Sequence, residues 1–223
     1  MKIKLFLHAI LKFILGAVLV GLPIFLSAGT LNYTRGWLFM GALFVPMLTV
    51  GIILMIRSPE LLKKRLDAKE SKKEHVMVVA ISGVVFLVGF ILAGLDFRFH
   101  ISKLPIGVSI VAAAVFLSAY AIYAEVLREN IYLSRTIKVE EGQNVIDTGL
   151  YGIVRHPMYG ATLLMFTAMP LILGSLPALA VFLLYPFIIE QRIKAEELLL
   201  ENELEGYTEY KKRVKYKMIP FIW

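Results

Sequence analysis

The sequence predicts an all-α polytopic membrane protein with about five to six transmembrane helices and a C-terminal helical hairpin. Hydrophobic residues make up 58% of the 223-residue chain, and its mean hydropathy is +0.74. Soluble domains contain roughly 45–50% apolar residues, so the composition excludes an ordinary soluble domain. Candidate spans occupy nearly all of the length, which predicts one integral membrane domain over residues 1–223.

Four apolar runs lie near 6–28, 37–56, 76–95 and 104–126. Each is close to the roughly 20 residues that a helix needs to cross a bilayer. The first run follows two lysines and ends at Ser27-Ala28-Gly29, which resembles a signal-peptide cleavage site. Because the run is longer than the usual apolar core of about 7–15 residues, we favour a retained first helix, with a cleaved signal peptide as the alternative.

A further apolar region from about 157 to 190 is interrupted by Pro170, Gly174 and Pro177. It is too long for one straight spanning helix and leaves only short lengths on either side of the break. The region therefore predicts a tight helical hairpin.

Orientation is predicted from lysine and arginine. The loop after the second span is rich in both, with Arg57, Lys63, Lys64, Arg65, Lys69, Lys72 and Lys73. The positive-inside rule then puts both termini, the 57–75 loop and the 127–156 segment in the cytoplasm, at the inner membrane if the protein is bacterial. The same basic residues give the chain its net charge of +7, and they are expected to lie beside anionic membrane lipid. The charge therefore does not require a nucleic-acid partner.

The cytoplasmic segments contain two further patterns. Glu141-Gly142-Gln143-Asn144 predicts a turn, because glycine and asparagine tolerate positive φ. In the tail, apolar residues at near-helical spacing predict one amphipathic helix over 196–215 at the membrane surface; they are Leu200, Leu204, Tyr207 and Tyr210.

Polar residues at the hairpin's ends are the candidate functional groups. Arg155-His156-Pro157 either begins a membrane helix, with proline in its first turn, or presents a helix N-terminus that holds a carboxylate. Arg192 and Glu196 share a helix face and form either a weak surface ion pair or two halves of a site for a zwitterion. Glu197 is interpreted as a solvated neighbour.

Other site classes lack their sequence signatures. The chain has no cysteine, which excludes disulfides and thiolate chemistry, and His156 has no neighbouring ligand that would indicate a metal site. No glycine-rich dinucleotide motif, nucleotide-binding lysine loop or zinc-protease helix motif is present.

Several motifs in order resemble the isoprenylcysteine carboxyl methyltransferase family, in its bacterial and archaeal branch. The clearest are residues 145–151 running into Val154-Arg155-His156-Pro157-Met158-Tyr159-Gly160, followed by Arg192 with Glu196-Glu197, and the ending 207–220. Weaker likeness lies at 58–66, Glu129-Asn130 and Ser134-Arg135-Thr136.

The resemblance implies a methyltransferase that uses S-adenosyl-L-methionine in a cytoplasm-facing pocket, formed by about residues 136–223. Arg192 would bind the acceptor substrate and act in catalysis. The implied cofactor-binding residues are Glu140, Gln143, Asn144, Val145, Ile146, Tyr151, His156, Pro157, Met158, Tyr159 and Glu196. Glutamate stands at position 140 where the family often has glutamine, and Gln143-Asn144 replaces the family's His-Thr, which favours backbone contacts there.

The expected reaction is carboxyl O-methylation of an isoprenylcysteine-like or other lipophilic, membrane-delivered acceptor. Alternatives within the same chemistry are N-methylation of a phospholipid amine and S-methylation of a small thiol. Two further alternatives are a membrane reductase that uses a nicotinamide cofactor and a non-enzymatic scaffold or carrier.

Overall fold

A computed structural model describes residues 2–66, 73–133 and 139–223, with side chains for 3–66, 79–133 and 139–223. Its α-helices are α1 (Lys2–Ala28), α2 (Thr34–Arg57), α3 (Pro59–Leu66), α4 (Lys73–Phe99), α5 (Ile106–Glu129), α6 (Pro157–Leu173), α7 (Leu176–Phe182), α8 (Tyr185–Glu203) and α9 (Tyr207–Arg213). A 3₁₀-helix covers Gly149–Gly152. The described residues contain no β-strand, and the predicted all-α fold is confirmed.

Among the described residues, five helical stretches are long and apolar enough to span a membrane. They are Ile3–Ala28, Thr34–Arg57, Val79–Phe99, Ile106–Glu129 and Leu176–Glu203, the last formed by α7 and α8 in succession. α6 is apolar but has 17 residues, about 26 Å of helix against a hydrocarbon core of about 30 Å. The protein is therefore an integral membrane protein, and the part of the chain that the structure describes contains five candidate spans and one shorter apolar helix.

The hairpin breaks where the sequence predicts it. α6 ends at Leu173, and Gly174 follows at φ +74°, a left-handed conformation that favours glycine. The Ser175 hydroxyl accepts a hydrogen bond from the Ala178 amide at 3.2 Å and caps α7. Because Pro177 lies in the first turn of α7, its missing N–H removes no helical hydrogen bond.

The bundle packs α1 against α4, α4 against α7, and α5 against α6. Its core is rich in buried aromatic rings, including Phe39, Phe116 and Phe182. The α1–α4 contact is close: a Cβ on Gly94 would lie 2.4 Å from the carbonyl oxygen of Ile24. Small residues allow helix backbones to approach in this way when lipid surrounds the bundle.

Other predictions for the loops and tail have mixed outcomes. Residues 141–142 form the predicted turn, with Gly142 at φ +71°. The single helix predicted over 196–215 is wrong: α8 ends at Glu203 and α9 starts at Tyr207. Gly206, at φ +81°, turns the chain between them, and Leu200, Leu204, Tyr207 and Tyr210 pack inward as one cluster. Lys69, Lys72 and Ser134-Arg135-Thr136 lie outside the described residues.

Candidate functional site

A pocket opens at the end of the bundle where α5 ends, α6 begins and α8 leads into α9. Its cavity volume is about 90 Å³, within a wider depression that is open to solvent. Its lining residues are Asn130, Tyr132, Leu133, Gln143, Asn144, Val145, Ile146, Tyr151, Arg155, His156, Met158, Tyr159, Arg192, Glu196, Leu200, Leu204, Tyr207 and Tyr210.

The residues that follow α5 fix one wall of the pocket. The Glu129 carboxylate accepts a hydrogen bond from the Leu150 amide at 3.1 Å, and a Cβ on Gly149 would overlap that carboxylate. The Asn130 side-chain amide donates to the Tyr151 hydroxyl at 3.0 Å. These contacts hold the 3₁₀-helix against the end of α5 and aim Tyr151 into the pocket.

The 139–146 segment forms the rim. The Gln143 side-chain oxygen accepts from the Glu140 amide at 2.9 Å, and the Glu140 carboxylate forms an ion pair with Lys64 of α3 at 2.5 Å. Glu140 is thereby tied to α3 and does not line the pocket, whereas Gln143 and the three residues after it do.

One face of α8 forms the long wall. Arg192, Glu196, Leu200 and Leu204 recur every four residues and all line the pocket, over about 18 Å of chain. The wall changes from charged to apolar along this line. Such a wall suits a ligand with a charged end and a flat apolar end.

Tyr159 of α6 lies between the two charged side chains of that wall. Its hydroxyl donates to a Glu196 carboxylate oxygen at 2.6 Å and accepts from Nε of Arg192 at 3.0 Å. A tyrosine from another helix thus links the two side chains that were predicted to pair directly. The Tyr159 ring is buried, whereas Arg192 and Glu196 are half-buried.

Glu197 is a buried ion-pair partner, and its interpretation as a solvated neighbour is wrong. Its side chain is 6% exposed, as buried as Arg155 at 7% and His156 at 5%. Its Oε1 lies 2.7 Å from Nε of Arg155 and 3.1 Å from Nε2 of His156, while its Oε2 lies 3.2 Å from Nζ of Lys211. Lys211 lies on α9 and Arg155 lies just before α6. Because both pair with Glu197, its side chain points inward.

Arg155 also binds the tail. Its Nη1 donates to the carbonyl oxygens of Val214 and Lys215, at 2.7 and 2.8 Å. The backbone amides of Arg155 and His156 donate to the carbonyls of Tyr216 and Lys217. The amides just before α6 are therefore used within the chain, and Pro157 at its start has no amide proton to offer a carboxylate.

The apolar end of the pocket is built from Leu200, Leu204, Tyr207 and Tyr210, with Val145 packed against them. Burial raises the pKa of both the Tyr207 and the Tyr210 hydroxyl, so both stay protonated at neutral pH. Tyr210 donates to the carbonyl of Tyr151 at 2.8 Å. The Tyr207 oxygen is buried without a hydrogen-bond partner among the described residues.

All but two of the residues predicted for the site line this pocket. The exceptions are Glu140 and Pro157; the cofactor and substrate roles of the whole set remain predictions. Sequence reasoning gave Arg155 no cofactor or substrate role of its own, and it missed the contribution of the apolar tail residues. Continuing the four-residue step from Arg192 and Glu196 would have reached Leu200 and Leu204. The described residues contain no group of three or more histidine or acidic side chains arranged to hold a metal ion.

Comparisons with known proteins find partial similarities. A family model described as phospholipid methyltransferase matches residues 102–205, which include α5 to α8 and both Arg192 and Glu196. The Delta(14)-sterol reductase of Mus musculus is 31% identical over 91 residues. That match covers 40% of this chain and 22% of the reductase, so the chain corresponds to about a fifth of that protein. The family match supports a membrane methyltransferase type for this chain.

Proposed function

We propose that this protein transfers a methyl group from S-adenosyl-L-methionine to a lipophilic acceptor delivered from the membrane. The observation that carries the proposal is the pocket wall formed by Arg192, Glu196, Leu200 and Leu204, closed by Tyr159. The side chains of this wall fit the cofactor. A carboxylate can pair with its ammonium and sulfonium groups, and an apolar slot can hold its adenine ring. When bound, the cofactor supplies an electrophilic methyl group.

Glu196 is the proposed partner of the cofactor's ammonium group. Its carboxylate already accepts a hydrogen bond from Tyr159, which fixes its orientation before any ligand arrives. A charge-assisted hydrogen bond to a held carboxylate loses less entropy than one to a mobile side chain. The cofactor would then lie along α8 with its nucleoside toward Leu200 and Leu204.

Arg192 is the proposed contact for the acceptor. It lies at the charged end of the wall, where Tyr159 accepts a hydrogen bond from its Nε. A carboxylate acceptor is already ionised at neutral pH and needs alignment rather than a general base. Methyl transfer to a carboxylate neutralises a cationic donor and an anionic acceptor, and exclusion of water by the bound ligands would favour that loss of charge.

Phospholipid amine N-methylation is the alternative within the same chemistry, favoured by the description of the matching family. Arg192 would then hold the lipid phosphate, and the amine would have to lose a proton before or during transfer. Mass spectrometry of lipids after expression separates the two reactions: methylated ethanolamine headgroups support the amine, and a methyl ester supports the carboxylate.

A membrane reductase is the second candidate function, favoured by the similarity to the sterol reductase. Under this alternative the pocket holds a nicotinamide cofactor. Calorimetric titration of the purified protein with each cofactor discriminates between the two: binding of the nicotinamide cofactor without binding of S-adenosylmethionine would overturn the methyltransferase proposal.

Glu196→Gln is expected to weaken S-adenosylmethionine binding about 10- to 150-fold, because a hydrogen bond to a charged group contributes about 1.5–3 kcal/mol. Calorimetry on detergent-solubilised protein measures the effect. Glu190→Gln is the matched control, since Glu190 lies on the same helix, pairs with Lys194 at 3.0 Å and does not line the pocket. Equal affinities in the two variants would remove Glu196 from the proposed site.

We also propose that the pocket faces the cytoplasm. Arg35 starts α2 at one end of the bundle, and the basic residues that follow α2, including Lys64, lie at the pocket end. Reporter fusions are expected to show residue 35 outside and residue 69 inside the cytoplasm. The reverse pattern would place the pocket on the other side of the membrane and contradict this orientation.

A further inference from the structure

The buried oxygen of Tyr207 has no hydrogen-bond partner among the described residues, although the side chain is only 4% exposed and lines the pocket. A buried hydroxyl without a partner is unfavourable, because it has lost its hydrogen bonds to water and gained none in the protein. Such a group in a folded protein therefore calls for an explanation. Because Tyr207 lines the pocket, a ligand held there is the candidate partner for its hydroxyl.

Tyr207 stands apart from the other buried tyrosines around it. Tyr159 pairs with Glu196 and Arg192, Tyr151 accepts from Asn130, and Tyr210 donates to the Tyr151 carbonyl. Those three hydroxyls hold the pocket together. The Tyr207 hydroxyl forms no hydrogen bond with any of the described residues.

The charges near Tyr207 limit which ligand atom it meets. Burial raises the pKa of Tyr207, and the carboxylates of Glu197 and Glu196 raise it further, so the group stays a protonated donor. A ligand carboxylate placed here would be repelled by those same carboxylates. An uncharged acceptor would not be repelled, and the apolar neighbours Leu204, Tyr210 and Val214 suit a flat heteroaromatic ring.

We propose that the Tyr207 hydroxyl donates a hydrogen bond to an uncharged acceptor atom, a ring nitrogen or sugar oxygen, in the nucleoside half of the bound cofactor. This inference rests on the proposed function, because it takes S-adenosylmethionine as the ligand. It adds a cofactor-binding residue from α9, outside the residues that the family model matches. It also fixes the direction of the cofactor: nucleoside toward α9, amino-acid end toward Glu196.

Tyr207→Phe tests the proposal through two measurements, the melting temperature of the ligand-free protein and the affinity for ligands, which are expected to respond differently. Removing an unpartnered hydroxyl is expected to leave the melting temperature of the ligand-free protein unchanged or slightly higher. It is expected to lower the affinity for S-adenosylhomocysteine about three- to tenfold, the effect of one neutral hydrogen bond. The same factor is expected for 5′-methylthioadenosine, which keeps the nucleoside and lacks the amino-acid end.

Tyr210→Phe is the matched control. It removes the same group from the same cluster, but here the hydroxyl has a partner, so the ligand-free protein is expected to melt at a lower temperature. Equal loss of thermal stability in both variants would make Tyr207 structural and overturn the proposal. Unchanged ligand affinity in Tyr207→Phe would overturn it as well.

The two ligands separate this inference from the function on which it rests. Wild-type protein that binds neither ligand would overturn the proposed function and the role of Tyr207 with it. Wild-type binding with a Tyr207→Phe loss confined to S-adenosylhomocysteine would keep the function and overturn the nucleoside assignment. A shared loss on both ligands supports the proposal, and Glu196→Gln should then weaken S-adenosylhomocysteine alone.

Discussion

Glu197→Ala is expected to reduce the free energy of unfolding by about 3–5 kcal/mol, the usual effect of breaking a buried ion pair by removing one partner. The substitution would leave Arg155 buried with its charge unpaired at Nε, and it would take the nearest carboxylate from His156. Thermal unfolding of the purified protein measures the loss. At this chain length the midpoint should fall by roughly 6–20 °C.

Glu201→Ala provides the control for that measurement. Glu201 pairs with the same lysine, Lys211, at 2.5 Å, but it is exposed, and exposed ion pairs contribute about 0–1 kcal/mol. Its midpoint should therefore stay close to that of the wild type. Similar midpoints for the Glu197 and Glu201 variants would mean that the buried carboxylate contributes nothing beyond a surface charge.

Arg192→Ala is expected to lower methyl transfer about 100-fold or more while changing S-adenosylmethionine affinity little. The reason is that Arg192 is the proposed contact for the acceptor, and loss of alignment between reacting groups costs about two orders of magnitude in rate. The measurement is single-turnover transfer of labelled methyl groups to farnesylated N-acetylcysteine and to phosphatidylethanolamine, beside calorimetry with the cofactor.

Arg192→Lys is the matched variant for the rate measurement. Lysine keeps the positive charge but loses the planar fork that holds a carboxylate or phosphate through two hydrogen bonds. Its rate should lie between those of the wild type and Arg192→Ala. A full rate in the alanine variant, or a loss confined to cofactor affinity, would remove Arg192 from the acceptor site.

The elements that sequence predicts well depend on local chemistry. Gly174 ends α6 because glycine tolerates positive φ, and Pro177 fits the first turn of α7 because no amide proton is needed there. Pro170, which the sequence also suggested as a break, lies inside α6. Apolar length likewise locates the spans without knowledge of their partners.

The parts that sequence reasoning missed depend on partners that are distant in the chain. Glu197 follows Glu196 by one residue, about 100° around α8, and nothing in that spacing reveals that Arg155 and Lys211 come to meet it. The tail pattern looked like one helix because Leu200, Leu204 and Tyr207 keep helical spacing across the turn at Gly206. The resemblance to a known family located most pocket residues, but it gave no reason to single out the buried hydroxyl of Tyr207.

The bonds that Arg155 makes to the tail also connect two distant parts of the chain. Its bonds to Val214 and Lys215 join residues that are 59 and 60 positions apart, and the Lys64–Glu140 pair joins residues 76 positions apart. Arg155 lines the pocket and binds the tail at the same time. A displacement of the tail would therefore disturb the pocket wall, although the tail residues Val214 and Lys215 do not line the pocket themselves.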